Sequence, residues 1–275
     1  MQVGGRGPNF CGMTEPLSIA KHKMLRSLTT SKGRTRENAF LAEGVRIVQE
    51  GLAQGLQPIA VVFEAEALDE REELRSLARK AGDAARVAEA RDFADLSETV
   101  HSQGVVAAFA KQSADPRALL SQSTCTFLVA DNMRDPGNLG TLMRHAAAFD
   151  CTGLFLLKGC CDPWNSKAVR ASMGGIFSMP VETDCQPGEL LALFEEQGIW
   201  PYVLENKPGA QPALSVEYAP RSVFVIGGET EGVGDYWQES AVIRVKIAQT
   251  ERVESLNASV AAAIMMSHRY QMMVR

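Results

Sequence analysis

The chain has 275 residues, which at roughly 100 to 200 residues per domain predicts two domains. With 45% hydrophobic and 22% charged residues the composition excludes bulk disorder, collagen-like repeats and coiled coil. A formal net charge of −5 does not advertise the basic surface expected of a nucleic-acid-binding domain.

Residues 1–14 are Gly-rich and read as a disordered leader. The first 40 residues carry seven basic side chains against Glu15 and Glu37, a local charge of +5, so the remainder carries −10. Basic character is concentrated at one end, as a phosphate-facing patch would be. Between Arg36 and Gly55, Phe40, Leu41, Val45, Val48 and Leu52 recur with helical spacing and predict an amphipathic helix. A strand is expected at 59–63, a charged helix at 68–81 ending before Gly82, then a polar segment, then a strand beginning at Gly104. Residues 15–110 thus form a small αβ domain, and 111–123, with the helix breaker Pro116, read as its linker.

From 124 to 275 apolar runs of strand length (126–130, 153–157, 200–204, 223–226, 242–247) alternate with helical stretches. These start at Leu139, near 166–173, at 189–197 and at Leu256. This pattern predicts a parallel sheet covered on both faces, with ligands in the loops after the carboxyl ends of its strands. Six cysteines (Cys11, Cys125, Cys151, Cys160, Cys161, Cys185) contain no CxxC pair, and His22, His101, His145 and His268 lack ligand spacing, so no metal is expected. The thiols read as reduced and mostly buried, in a reducing compartment. No apolar run reaches the roughly 18 residues of a membrane helix.

Three loops stand out. In 131–144, Asp135-Pro136-Gly137 reads as a turn and Asn138 as a helix N-cap, which needs no function. Arg144, inside an otherwise apolar helix with Ala146, Ala147 and Phe149, requires a partner or a cleft. An arginine near a helix N-terminus also suits a phosphate. In 223–234 a buried strand runs into Gly227, Gly228, Gly232 and Gly234. That spacing is neither the dinucleotide fingerprint nor a P-loop, and a close ligand and a tight turn weigh evenly. In 247–257 Ser255 reads as the N-cap of the last helix, and Met265, Met266, Met272 and Met273 as core or subunit interface.

In this order and at these separations the three loops resemble the signature motifs of the SpoU/TrmH family of RNA ribose 2′-O-methyltransferases. The first motif resembles Asn132-x-x-Asp135-Pro136-x-Asn138-x-Gly140-x-x-x-Arg144, the second Gly227-Gly228-Glu229-x-x-Gly232, and the third Ile247 through Ser255-Leu256-Asn257. Phe40-Leu-Ala-Glu43-Gly44, and Leu96-Ser97-Glu98-Thr99 followed by Gln103-Gly104-Val105-Val106-Ala107, resemble the family's small ribosomal-protein-like substrate-binding domain. That second likeness favours the branch that modifies ribosomal RNA.

The resemblance implies a trefoil-knotted parallel sheet, S-adenosylmethionine as methyl donor, no metal, RNA as partner, and an active site formed across a homodimer. It assigns Gly227, Gly228, Ile247 and Leu256 to the cofactor, and Asn138, Arg144, Glu229, Ser255 and Asn257 to the catalytic set. An arginine is a poor base at neutral pH, so Arg144 is expected to grip a phosphate and stabilise the developing alkoxide. Where the family usually has Ile-Pro-Met this chain has Ile247-Ala248-Gln249, and Glu251 replaces a common glycine. Losing the proline frees the backbone, and a carboxylate there would repel the acidic end of the cofactor. The alternative to an active enzyme is therefore an RNA-binding assembly factor on the same scaffold, although retention of all five polar residues favours the enzyme. The default compartment is the bacterial cytoplasm, the alternative a mitochondrial or plastid matrix.

Overall fold

The computed structural model describes residues 14–112, 115–229, 231–240, 242–250 and 252–274. All but the last residue of the expected leader, together with Cys11 and Glu251, lie outside them. The chain divides into two compact units, one of residues 1–111 with 164–166 and one of 112–163 with 167–275.

The first unit contains β1 (Glu15–Pro16), α1 (Ile19–Ser27), α2 (Ser31–Glu37), β2 (Ala39–Glu43) and α3 (Val45–Ala53). Then come β3 (Ala60–Glu64), α4 (Ala65–Glu70), α5 (Glu72–Ala81), β4 (Ala85–Ala88), α6 (Ala90–Ala94) and β5 (Val105–Ala110). Its five-stranded sheet has the order β1-β4-β3-β5-β2, with β5 antiparallel to both neighbours.

The helix expected from Arg36 to Gly55 forms only in its second half. Ala39–Glu43 is a strand whose five residues are all buried, with Phe40 opposite Phe109. A strand buried on both sides has no polar face, so its apolar residues mimic helical spacing. Gly44, at φ +111°, ends it, and the Gln103 side chain accepts the Val45 N–H at 2.8 Å to start α3. The expected helix at 68–81 is broken by extended Arg71, and the polar segment after it holds β4, paired parallel with β3. The buried Glu43 carboxylate accepts the Ser97 hydroxyl (2.5 Å), the Glu98 N–H (3.0 Å) and the Thr99 hydroxyl (2.5 Å), tying two of the family-like stretches together.

The second unit begins with α7 (Pro116–Leu120), β6 (Cys125–Asp131), α8 (Pro136–Ala148), β7 (Gly153–Leu157), α9 (Ser166–Ser172) and β8 (Val181–Cys185). It continues with α10 (Pro187–Glu196), β9 (Tyr202–Leu204), β10 (Gln211–Pro212), β11 (Arg221–Gly227), α11 (Tyr236–Glu239), β12 (Ile243–Lys246) and α12 (Ala258–Met273). Pro116 opens α7 rather than breaking a helix, because the first helical position needs no N–H and Asp115 caps it. The sheet order is β10-β12-β9-β11-β6-β7-β8, and every pairing is parallel. The α/β class with a parallel sheet is as expected. Two edge strands were not: β10 has two residues, and β8 alternates Val-Glu-Thr-Asp-Cys with only Val181 buried.

Packing in this unit centres on Phe127, stacked on Phe155 at 5.2 Å, and on Phe194 meeting Phe155 at 6.0 Å. Burying such aromatic pairs gains about 0.5–1.5 kcal/mol each beyond their area. Gly140 lets α8 approach α9, since a Cβ there would lie 2.4 Å from the Ala168 carbonyl oxygen. Its place in the first motif therefore has a packing reason. The five described cysteines are free, and burial pushes the Cys151, Cys161 and Cys185 thiols up to about 12. Among the described residues no helix is long and apolar enough to cross a membrane.

Candidate active site

Strands β6, β9, β11 and β12 are neighbours and parallel, so their carboxyl ends open on one edge of the sheet. The loops there enclose two cavities. The larger, about 260 Å³, is lined by Gly227, Gly228, Ile247, Ser255 and Leu256, with Leu204 to Lys207 on the β9 side. The smaller, about 210 Å³, is lined by Asn132 to Asp135 and Asn138. Gly228, Glu229, Glu231 and Ala258 belong to both, so the two share a wall.

That wall is shaped by backbone. A Cβ on Gly228 would stand 2.2 Å from the Asn132 carbonyl oxygen, and one on Gly227 2.2 Å from the Gly232 carbonyl carbon. The tight turn is formed, and the same glycines line the cavity. Asn132 itself adopts φ +54°, a left-handed conformation that Asn tolerates better than most residues.

Beneath the loop, buried Asp131 accepts the Gly234 N–H at 2.7 Å and the Trp237 indole N–H at 3.0 Å. Burial raises its carboxyl above the ordinary aspartate range, opposed by these two hydrogen bonds. Asp131 was not singled out from sequence. An acid closing an otherwise apolar strand is the signal that could have found it.

Asn257 joins the loops. Its Nδ2 donates to Asn138 Oδ1 at 2.9 Å and to Glu229 Oε1, while its Oδ1 accepts the Ser259 and Val260 N–H groups at 3.1 and 3.2 Å. One amide therefore caps α12 and ties the first motif to the second. Both expected N-caps are corrected by this geometry. Asp135, not Asn138, caps α8, accepting the Asn138 N–H at 2.8 Å, and Asn257, not Ser255, caps α12. The shift leaves the Asn138 side chain free to meet Asn257, and Ser255 exposed on the cavity wall.

Seven of the nine expected site residues gather on the cavities through backbone or lining contacts, and Asn257 joins them through its hydrogen bonds. Arg144 does not. It is exposed, lines neither cavity, and its side chain makes no ion pair or hydrogen bond among the described residues. The partner or cleft it was expected to need is not found among the described residues. Its backbone is nonetheless tightly held, because a Cβ on Gly175 would lie 2.9 Å from the Arg144 Cα. Its neighbour His145 borders an open trough on α12 with Val260, Ile264 and His268, where Val260 is 45% and nearby Leu214 57% exposed.

The departures in the third motif have visible consequences. Ala248 is exposed, and Gln249 lines the larger cavity. Three described acids line it, each with a partner: the Glu205 side chain is buried and paired with Arg244 at 2.9 Å and Lys207 at 3.3 Å, Glu231 pairs with Arg134 at 2.9 Å, and Glu229 accepts the Asn257 amide.

Residues 125–267 match the family model described as the SpoU rRNA Methylase family, and residues 20–107 match the MRM3-like substrate binding domain. The 23S rRNA (guanosine(2553)-2′-O)-methyltransferase RlmP of Bacillus subtilis is 29% identical over 90% of this chain and 95% of its own. A TrmH-family protein from Porphyromonas gingivalis is similar in structure, with a TM-score of 0.77 at 29% identity over 93% of this chain and 99% of that one. The SpoU methyltransferase AviRb from Streptomyces viridochromogenes, solved with AdoMet, shares the fold with a TM-score of 0.79 at 22% identity, over 93% of this chain and 99% of its own.

Proposed function

Since the chain belongs to the SpoU rRNA methylase family, we propose that it transfers a methyl group from S-adenosylmethionine to a ribose 2′-hydroxyl of ribosomal RNA. The observation that carries this is the Asn257 amide, which holds Asn138 and Glu229 against the wall common to the two cavities. One cavity then suits the donor and the other the target nucleotide. The residues present fit the donor: Gly227 and Gly228 leave backbone exposed at close range, Ile247 and Leu256 offer apolar surface, and the Glu205 charge is already paired. When bound, S-adenosylmethionine supplies an electrophilic methyl group.

The chain's own task is to place the 2′-oxygen in line and stabilise the charge that develops as its proton leaves. Asn138 and Glu229, fixed by Asn257, orient the ribose. Arg144 grips the adjoining phosphate and stabilises the alkoxide, the proton passing to phosphate or water. A guanidinium stays protonated at neutral pH and so serves as a charge, not a base. Because Arg144 lines neither cavity of its own chain, the working unit is a homodimer in which a second copy supplies it. The half-exposed apolar trough on α12 beside His145 is the face that copy would cover. The family's trefoil knot belongs to the same reading, and a reducing compartment such as the bacterial cytoplasm suits the five free thiols among the described residues.

Calorimetric titration with S-adenosylmethionine tests the donor site. No binding at millimolar cofactor would leave only an RNA-binding scaffold. Mapping 2′-O-methyl sites in ribosomal RNA with and without the gene identifies the nucleotide. Mixing Arg144→Ala with Asn257→Ala chains is expected to restore activity that neither variant has alone; continued inactivity of the mixture would place Arg144 in its own chain's site.

A further inference from the structure

The described residues between β12 and α12 form no regular structure, so their backbone carbonyls must find side chains or water. Two amides reach it. Gln249 Nε2 donates to the carbonyls of Val253 at 3.2 Å and Glu254 at 3.1 Å. From the loop after β9, Asn206 Nδ2 donates to the same Glu254 carbonyl at 3.3 Å. Glu254 thus uses both lone pairs of its carbonyl oxygen, one for each amide. The next two residues are Ser255 and Leu256, and these, with Asn206 and Gln249, line the larger cavity.

Burial does not hold this turn, for Val253 is 53% exposed and Glu254 is exposed as well. We infer that Gln249 and Asn206 form an amide clasp that positions Ser255 and Leu256 against the cofactor cavity. This rests on assigning that cavity to S-adenosylmethionine. Where the resemblance leads one to expect a proline followed by a methionine, this chain has Ala248, whose φ no ring fixes, followed by a side chain able to donate twice. The stiffness that a proline builds into the chain is supplied instead by hydrogen bonds across the loop. Gln249 and Asn206 are positioning residues, acting on the donor through Ser255 and Leu256.

Gln249→Met keeps the length of the side chain and removes the donor, and Asn206→Leu does the same on the other side. With two hydrogen bonds lost, Gln249→Met is expected to raise the calorimetric Kd for S-adenosylmethionine about tenfold, and Asn206→Leu about threefold. Because both amides share the Glu254 carbonyl, the double variant should fall short of the product of the two. KM for the cofactor should rise with kcat unchanged within a factor of about two, the signature of lost binding rather than lost chemistry. Amide hydrogen exchange over 253–256 in the cofactor-free protein should quicken in both variants. Unchanged exchange and unchanged Kd in Gln249→Met would overturn the clasp. If the unaltered protein fails to bind S-adenosylmethionine, the proposed function falls instead, and the exchange measurement still decides whether the clasp exists.

Discussion

The two cavities share a wall but are made of different material. The larger is walled by glycine backbone and by apolar side chains from three strand ends, with the polar residues Glu205 to Lys207, Gln249 and Ser255 at its rim loops. The smaller is walled by the side chains and the bent backbone of the Asn132–Asn138 loop, with Asn257 bracing it through Asn138. Backbone walls constrain a position mainly by forbidding a Cβ, so residues around them can vary. A hydrogen-bonded wall needs each donor and acceptor in place. The third motif departs from the family pattern at 248 and 249, and the hydrogen bonds that Asn257 makes to Asn138 and Glu229 are nonetheless in place.

The largest effect is expected where the two cavities meet. In Gly228→Ala the new methyl meets the Asn132 carbonyl oxygen, and the displaced wall should lower methyl transfer by about 10³-fold and weaken the fold by about 1–3 kcal/mol. Activity within tenfold of the original would mean that the wall is not shared in function.

Asn257→Asp separates the cap from the brace. It keeps the acceptor for α12 but turns the donor into a carboxylate facing Glu229, and kcat is expected to drop about 10²-fold with little change in Tm. Asn257→Ala should lose a further ~1 kcal/mol through the cap.

Asp131 supports the glycine loop from below. Asp131→Ala strands the buried Trp237 indole N–H and the part-buried Gly234 N–H and should cost about 2 kcal/mol in denaturant unfolding. Burial raises its carboxyl in the native state, so the folded protein takes up the proton at a higher pH than the unfolded chain. Between those two values stability therefore falls as pH rises and recovers as pH falls. Asp131→Asn should remove that slope, read as the pH dependence of Tm against the unaltered protein.

Ala248→Pro should do least. Stiffening a backbone wall acts largely through the unfolded chain, by about 0.4–1 kcal/mol, and should leave the S-adenosylmethionine Kd within about threefold. A larger shift would show that the clasp does not already supply the stiffness.

Much of this architecture was legible beforehand. The alternation of apolar runs with helical stretches identified β6, β7, β9, β11 and β12, and the three loops could be picked out by their glycines, acids and amides. What misled was local ambiguity. Asp135 and Asn138 are both good cap residues three apart, and so are Ser255 and Asn257 two apart. The choice between them depends on Asn138 and Asn257 finding each other across the fold, which neither segment encodes alone. At Ala39–Glu43 a strand buried on both sides resembled the start of a helix, because burial depends on β5, more than 60 residues later. Gln249 looked like a loss, since its hydrogen-bonding partners become apparent only once the chain turns at 253–254.

By itself the sequence determined the α/β class, the strand-length runs and the residue types at each loop, because these follow from periodicity and from what glycine, proline and short polar side chains do locally. Only the tertiary structure decided that β11 lies between β6 and β9, which brings Asn138 within hydrogen-bonding distance of a residue 119 positions away. It also decided that Arg144 lines neither of the two cavities formed by the described residues. Strand order follows from burying both faces of one sheet, a property of the whole chain that no local pattern carries.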